Sequence, residues 1–156
     1  MLRAEALIIK TTGTVLAVNI SAKRGEKKHD IGEACLQAGL GVTNDAHRGE
    51  WHRQVSLLSL SSVEKMRARG ISIEYGDFAE NLTVSGLEVY TLPIGTKLRI
   101  GKAVAEVTQI GKSCHNQECA IKKQAGHCVM PKEGIFVKIL ESGLVKRGDP
   151  VEVLVR

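Results

Sequence analysis

Aromatic side chains make up only 3% of this 156-residue chain, with one Trp, two Tyr and two Phe. A core must therefore come from Val, Ile, Leu and Ala, and platforms for stacking bases are scarce. The formal charge of +5 is spread along the chain, not gathered on one stripe, which argues against nucleic acid as a partner. The one dense basic run, residues 23–28, contains Glu26 and reads as a solvated loop. No segment approaches the roughly 18 consecutive apolar residues of a membrane span, so no membrane partner is expected. The first ten residues are broken by Arg3, Glu5 and Lys10 and do not form a secretory signal. A cytoplasmic protein with mostly reduced cysteines is the expectation. No internal repeat or Pro-rich linker divides the chain, which fits one domain spanning 1–156.

What the chain does have is glycine, sixteen in all, and many short aliphatic runs. Strands are expected over 14–20, 53–58, 82–84, 98–100, 103–110, 134–141 and 151–155, with a weaker extended piece over 31–40. Turns at Ser85-Gly86, Ile94-Gly95, Gly101-Lys102 and Ser142-Gly143 separate the later ones. One helix is expected over 62–69. Ser59 or Ser61 would cap it, Val63 and Met66 share its inner face, Arg67 and Arg69 suit its C-terminal dipole, and Gly70 ends it. A shorter helical turn over 118–124, ended by Gly126, is also expected. Many short strands at close spacing favour a mainly β barrel with one or two peripheral helices over an alternating α/β fold.

Soft ligands crowd into residues 111–131, which hold three of the four cysteines and two of the five histidines. Cys35 stands apart and is expected to pack as a small buried residue. Cys114 sits among Lys, Ser, His, Asn and Gln, as an exposed loop cysteine would. Zinc on Cys114, Cys119 and Cys128 with His115 or His127 is one reading. The four residues between Cys114 and Cys119 are a poor match to a zinc knuckle. A reactive thiolate is another: in an extended loop Lys112 lies on the same side as Cys114 and favours the anion, and His115 can exchange a proton nearby. Such a thiolate attacks sulfur, carries a persulfide or binds a soft metal such as molybdenum. A permanent disulfide does not suit a reducing compartment.

A second constellation, Asn-Asp-Ala-His-Arg-Gly-Glu-Trp-His-Arg-Gln over 44–54, gathers Asp45, His47, Arg48, Glu50, His52 and Arg53 around the only tryptophan. It lacks a His-Glu-x-x-His pair and is weak as a dedicated metal site. Two readings stand: a charged turn leading into a strand, or a turn that presents Asp45 and His47 at a barrel mouth. The third feature is Gly76-Asp77-Phe78-Ala79-Glu80-Asn81. Its Glu80 and Asn81 either pin the loop carrying His47 or supply turn chemistry alone.

These features in this order resemble the MOSC domain, named for the C-terminal domain of molybdenum-cofactor sulfurase. The resemblance rests on Asn44-Asp45-Ala46-His47, on Trp51-His52-Arg53-Gln54-Val55-Ser56-Leu57-Leu58, and on Gly76-Asp77-Phe78-Ala79-Glu80-Asn81-Leu82. The segment 92–101, Gly111-Lys112-Ser113-Cys114, Met130-Pro131-Lys132-Glu133-Gly134-Ile135-Phe136 and Gly148-Asp149 extend it over nearly the whole chain. It implies a MOSC-type β-barrel with Cys114 as the family's characteristic cysteine. That residue would either ligate molybdenum or carry sulfur received from a pyridoxal-phosphate-dependent cysteine desulfurase. Pyridoxal phosphate would then belong to the partner, since nothing here marks a Schiff-base lysine. Where the family commonly has Gly-Asp, this chain has Asn44-Asp45, and Asn tolerates the left-handed backbone such a turn requires.

The resemblance implies a molybdenum-cofactor-related binding or sulfur-transfer protein. Cys114 would act with Lys112 and His115, and Asp45, His47, Arg53, Glu80 and Asn81 would line a cofactor pocket. Cys119 and Cys128 would be auxiliary thiols. The expected partners are a cysteine desulfurase or proteins of molybdenum-cofactor biosynthesis. The rival functions are a molybdenum-cofactor-dependent reductase of N-hydroxylated compounds and a structural zinc protein.

Overall fold

The computed structural model describes residues 12–111 and 130–155. Eleven strands are found among them: β1 (Thr12–Ile20), β2 (His29–Asp30), β3 (Glu33–Gln37), β4 (Gly41–Val42), β5 (Val55–Ser59), β6 (Leu82–Ser85), β7 (Lys97–Ile100), β8 (Ala103–Ile110), β9 (Ile135–Glu141), β10 (Gly143–Lys146) and β11 (Pro150–Val155). Helix α1 spans Leu60–Arg67, a 3-10 turn spans Val89–Thr91, and a single helical turn, α2, spans Met130–Glu133.

Seven strands close into a barrel in the order β11-β7-β8-β9-β5-β6-β1, with β1 returning to pair with β11. Closure leaves none of these seven as a free edge along its full length. Of the pairings, only β5 with β6 is parallel, and α1 lies within the connection between them, as a parallel crossover requires. A smaller sheet, β10-β3-β4, packs beside the barrel. The interior is aliphatic: Val15, Val55, Leu57, Leu82, Leu98, Ala105, Val137 and their neighbours are buried in one cluster.

All five residues of β5 are buried. Val55 and Leu57 face the barrel interior, while Leu58 turns outward beneath α1 and meets Val63, Met66, Ile73, Phe78 and Phe136. The helix runs over 60–67, two residues earlier than the sequence suggests, and neither serine caps it. Ser59 Oγ donates to Leu87 O and accepts from Val89 N instead, and Ser61 Oγ has no hydrogen-bond partner. A missing cap costs about 1 kcal/mol, whereas burying Val63 and Met66 contributes roughly 1.5–3 kcal/mol each. Packing outweighs capping here. Gly70 follows at φ +85°, the left-handed stop expected of it.

Two expectations are overturned. Cys35 is exposed, not buried. It lies on the outer face of the small sheet opposite Leu144, while Leu36 and Val145 take the inward positions. Lys28 does not belong to a solvated loop either, since it is 2% exposed. Gly76, at φ +95°, lets the chain approach so closely that a Cβ there would sit 2.3 Å from Lys28 O. The Lys28 N–H donates to Gly76 O at 2.9 Å, completing that contact. The extended piece over 31–40 divides at Gly32 and Gly39, and only 33–37 is strand. Strand β10 was not expected. The turn over 118–124 lies outside the described residues.

Candidate functional site

The turn after β4 is built on Asn44, whose φ of +68° places it in the left-handed region that Asn tolerates better than most residues. This rotation lets Asp45 point inward. The Asp45 side chain is fully buried and forms an ion pair with Lys28, itself fully buried, at 2.7 Å. Asp45 Oδ1 also accepts from Ser21 N at 3.1 Å, and Oδ2 accepts from His47 N at 3.1 Å. Burial pushes the Asp45 carboxyl up, but the hydrogen bond and charge of Lys28, with Asn81 and the His47 amide, hold it below the usual carboxylate range.

Lys28 Nζ also donates to Ser21 Oγ at 3.0 Å and lies 3.3 Å from His47 Nδ1. The His47 ring is nearly parallel to Trp51, with an interplanar angle of 3° and centroids 6.3 Å apart. Trp51 Nε1 donates to His47 O at 2.9 Å. Two guanidinium groups lie over the indole, Arg24 at 4.7 Å and Arg53 at 4.6 Å, within cation–π range. Arg53 is also 5.6 Å from the Phe136 ring, and its buried Nε has no hydrogen-bond partner. A buried donor left without an acceptor is costly and calls for a role.

A second chain of contacts leads from this turn to β8. His52 Nε2 meets Gln109 Oε1 at 2.7 Å, and Gln109 Nε2 donates to Gly111 O at 2.7 Å. Thr108 Oγ1, with its single proton, lies within hydrogen-bond reach of both His52 O and Phe136 O. A register shift between Val107 and Gln109 re-aims these side chains, as a bulge does. Gly111 N donates to Gly134 O at 2.6 Å. Glu133 takes Ser62 Oγ at 2.5 Å and Lys65 Nζ at 2.8 Å, tying the residue before Gly134 to α1.

His47 and Arg53 thus come together around Trp51, and Asp45 joins them through the His47 amide. Glu80 and Asn81 are buried nearby and bonded within the fold. Glu80 accepts from Gly76 N, Phe78 N and Thr83 Oγ1, and burial pushes its carboxyl up. Asn81 Oδ1 accepts from Ser56 N, and its Nδ2 donates to Asn19 O, so it joins β5 to β1. Turn chemistry and pinning coincide: Glu80 holds Gly76, and Gly76 holds Lys28 against Asp45 and His47. Lys112, Cys114, His115, Cys119, His127 and Cys128 lie outside the described residues. Among the described residues no group of three His, Cys, Asp or Glu is placed to hold a metal.

Sequence reasoning missed Lys28 and Ser21. Nothing in the run Glu26-Lys27-Lys28-His29 marks one lysine as internal. Its burial follows from Gly76, far off in sequence. An open cavity of about 450 Å³ flanks the same lysine, lined also by His29, Asp30, Glu74, Tyr75 and Asp77. Its carboxylates oppose an anionic ligand. Asp30 is paired with Arg147, and Asp77 accepts from Glu74 N.

A family model described as the MOSC domain matches residues 44–152. Among solved structures, the YuaD protein from Bacillus subtilis superimposes with a TM-score of 0.77 at 18% identity, covering 93% of this chain and 97% of that one. YiiM from Geobacillus stearothermophilus gives 0.70 at 18% identity, over 92% and 76% of the two chains. YiiM from Escherichia coli gives 0.60 at 20% identity, over 95% and 71%. At these identities the likeness is one of fold. No curated protein matches the chain in sequence.

Proposed function

The chain belongs to the MOSC domain family, known in molybdenum-cofactor-related proteins, and from that premise we propose that it binds molybdenum or its cofactor beside the turn carrying Asp45 and His47. Cys114 is the soft ligand in this reading, with Lys112 favouring its thiolate and His115 exchanging its proton. The observation that carries it is Arg53. Its guanidinium is oriented by Trp51 and Phe136 while Nε, buried, lacks an acceptor. An anionic group on a ligand, such as a pterin phosphate or a molybdate oxygen, would supply that acceptor.

The residues present fit such a ligand. Arg53 and Arg24 offer positive charge over the Trp51 ring. Gly111 follows β8 and accepts from Gln109, which bonds His52, and Cys114 follows three positions on in the sequence. Three residues of chain reach about 11 Å at most. When bound, molybdenum would supply a redox centre, while this chain's residues bind the anion, keep it oriented and hold the cysteine ready.

Protein purified from a host that makes the cofactor should contain stoichiometric molybdenum and a fluorescent pterin. Cys114→Ser should lose the metal, and Arg53→Ala should lower pterin retention several-fold. Cofactor-free protein that gains one sulfur from a cysteine desulfurase and cysteine, but not as Cys114→Ser, would replace this reading with a persulfide carrier. Stoichiometric zinc with unfolding on chelation would replace it with a structural zinc site.

A further inference from the structure

We propose that the Trp51 turn selects a doubly charged tetrahedral oxyanion, with Arg53 as its first guanidinium and Arg24, carried by the 21–28 loop, as its second. The inference rests on the reading of this turn as an anion site. It adds the charge of the ligand group, the residue that reads that charge, and the means by which the fold holds that residue in place.

The argument starts from two like charges on one ring. Arg24 Cζ lies 4.7 Å and Arg53 Cζ 4.6 Å from the centroid of the same indole. A guanidinium keeps its proton in a protein, so neither group can relieve the other by becoming neutral. Among the described residues neither forms an ion pair with a carboxylate. The Arg24 side chain makes one long hydrogen bond, from Nε to Ala46 O at 3.4 Å, and the buried Arg53 Nε makes none. Glu26 and Glu50, the acidic residues nearest to these two in the sequence, are exposed and stay out of every ion pair among the described residues. Two positive charges thus face the indole without compensation. A singly charged anion would balance one of them and a doubly charged anion both, whereas a cation would be repelled.

The fold also fixes where Arg24 starts from. Residues 22–27 are exposed, yet Ser21 and Lys28 at the two ends of the loop are buried, at 6% and 2%. Both ends are tied to one carboxylate oxygen: Asp45 Oδ1 accepts from Ser21 N at 3.1 Å and from Lys28 Nζ at 2.7 Å. Lys28 Nζ also donates to Ser21 Oγ at 3.0 Å, and that hydroxyl donates its own proton to Lys23 O at 3.0 Å. Lys23 O belongs to the peptide unit that joins Lys23 to Arg24, so the ion pair orients the backbone from which the guanidinium extends. Ala46 completes the base: its N–H donates to Ser21 O at 3.0 Å and its carbonyl takes Arg24 Nε. Apolar side chains in place of a buried ion pair are often no less stable. They would not close this loop through Ser21 and Lys23 O, and that closure is the use the charges have here.

Two matched pairs of anions test the proposal on the cofactor-free full chain, at constant ionic strength and at about pH 8, where a phosphate monoester carries two charges. Molybdate is compared with perrhenate, a tetrahedral oxyanion with one charge, and methyl phosphate with dimethyl phosphate. Affinity is read from the indole N–H resonance of Trp51, the single tryptophan. The dianion should bind about tenfold more tightly than its partner in at least one pair. Selectivity in the oxyanion pair alone would mark free molybdate as the ligand, and selectivity in the ester pair would mark a phosphate end. Arg24→Gln should bring the ratio close to unity by weakening the dianion and not the monoanion, and Arg24→Lys should keep most of it. Ser21→Ala leaves every charge in place and should lower the ratio several-fold by releasing the Lys23 carbonyl. Equal binding of both charges in both pairs would overturn the proposal. So would an equal loss for both charges in Arg24→Gln, or a ratio unchanged in folded Ser21→Ala. Molybdenum and pterin content is a separate measurement, so charge selection can fail while the cofactor assignment stands, and the reverse.

Discussion

The Leu57 side chain in the barrel interior and the Lys28–Asp45 ion pair are both fully buried, yet they are held by different physics. Leu57 is surrounded by interchangeable aliphatic neighbours, and no single contact there is irreplaceable. Each polar atom at Lys28 instead has a particular partner: Asp45 Oδ1, Ser21 Oγ and His47 Nδ1. Apolar packing degrades in proportion to the volume removed, while a buried charge network fails at once when one member goes. The barrel is thus the tolerant part of the molecule and the cluster the exacting part. An exacting arrangement is the kind that presents a side chain in one orientation.

The most forceful way to break this contrast is to strand one charge. Asp45→Ala should destabilise the protein by about 3–5 kcal/mol, because the Lys28 ammonium keeps its burial and loses its carboxylate. Urea unfolding followed through Trp51, the single tryptophan, measures it. The double variant Lys28→Met/Asp45→Leu should recover most of that loss. A double variant as unstable as Asp45→Ala would show that the pair is kept for stability and erase the distinction. The control in the barrel, Leu57→Ala, should cost about 2–5 kcal/mol and leave the emission of folded Trp51 unchanged.

Acid provides a milder probe. Asp45's pKa is lowered in the fold, so its contribution is complete above the unfolded value of about 3.9 and is lost as pH falls through the lower folded value. Glu80 has the opposite sign. Burial raises its pKa, so its contribution is present below the unfolded value and is lost as pH rises through the folded one. Stability measured from pH 7 downward should fall on the acid side. Asp45→Asn should flatten that fall, and Glu80→Gln should raise stability near neutrality relative to acid. An acid limb unchanged in Asp45→Asn would remove Asp45 from the account.

Legibility in the sequence follows the same division. Strands β8 and β9 could be read from aliphatic runs bounded by glycine turns, and β8 matches its expected limits of 103–110. Their period and their turns are local properties. The inner face of α1 was also legible, because Val63 and Met66 obey helical spacing, but its start was not. Ser59 is drawn away by Leu87 and Val89, which are distant in sequence. Asp45, His47 and Arg53 could be singled out as a group by their crowding around Trp51. Lys28 could not, since its burial depends on Gly76, and a lysine in a basic run carries no mark of the glycine it will meet. Cys35 was misread for a similar reason: a small residue on a strand gives no sign of which sheet face it will occupy.

The finest test separates the two arginines that flank Trp51. Arg24 is exposed and reaches the indole from the 23–28 loop, with one hydrogen bond from Nε to Ala46 O at 3.4 Å. An exposed cation–π contact is worth about 0.5–1 kcal/mol, so Arg24→Ala should lower stability by no more than that. Arg53 reaches the same ring with its Nε buried and unpartnered, so its removal relieves an unsatisfied donor even as it loses two ring contacts. Arg53→Met, which keeps the apolar stem against Trp51 and Phe136, should therefore be nearly neutral in stability. It should also weaken phosphate or molybdate binding, followed by Trp51 emission, more than Arg24→Ala does. If Arg53→Met costs several kcal/mol without changing anion binding, the guanidinium is part of the tolerant scaffold and the boundary of the exacting cluster lies at His47.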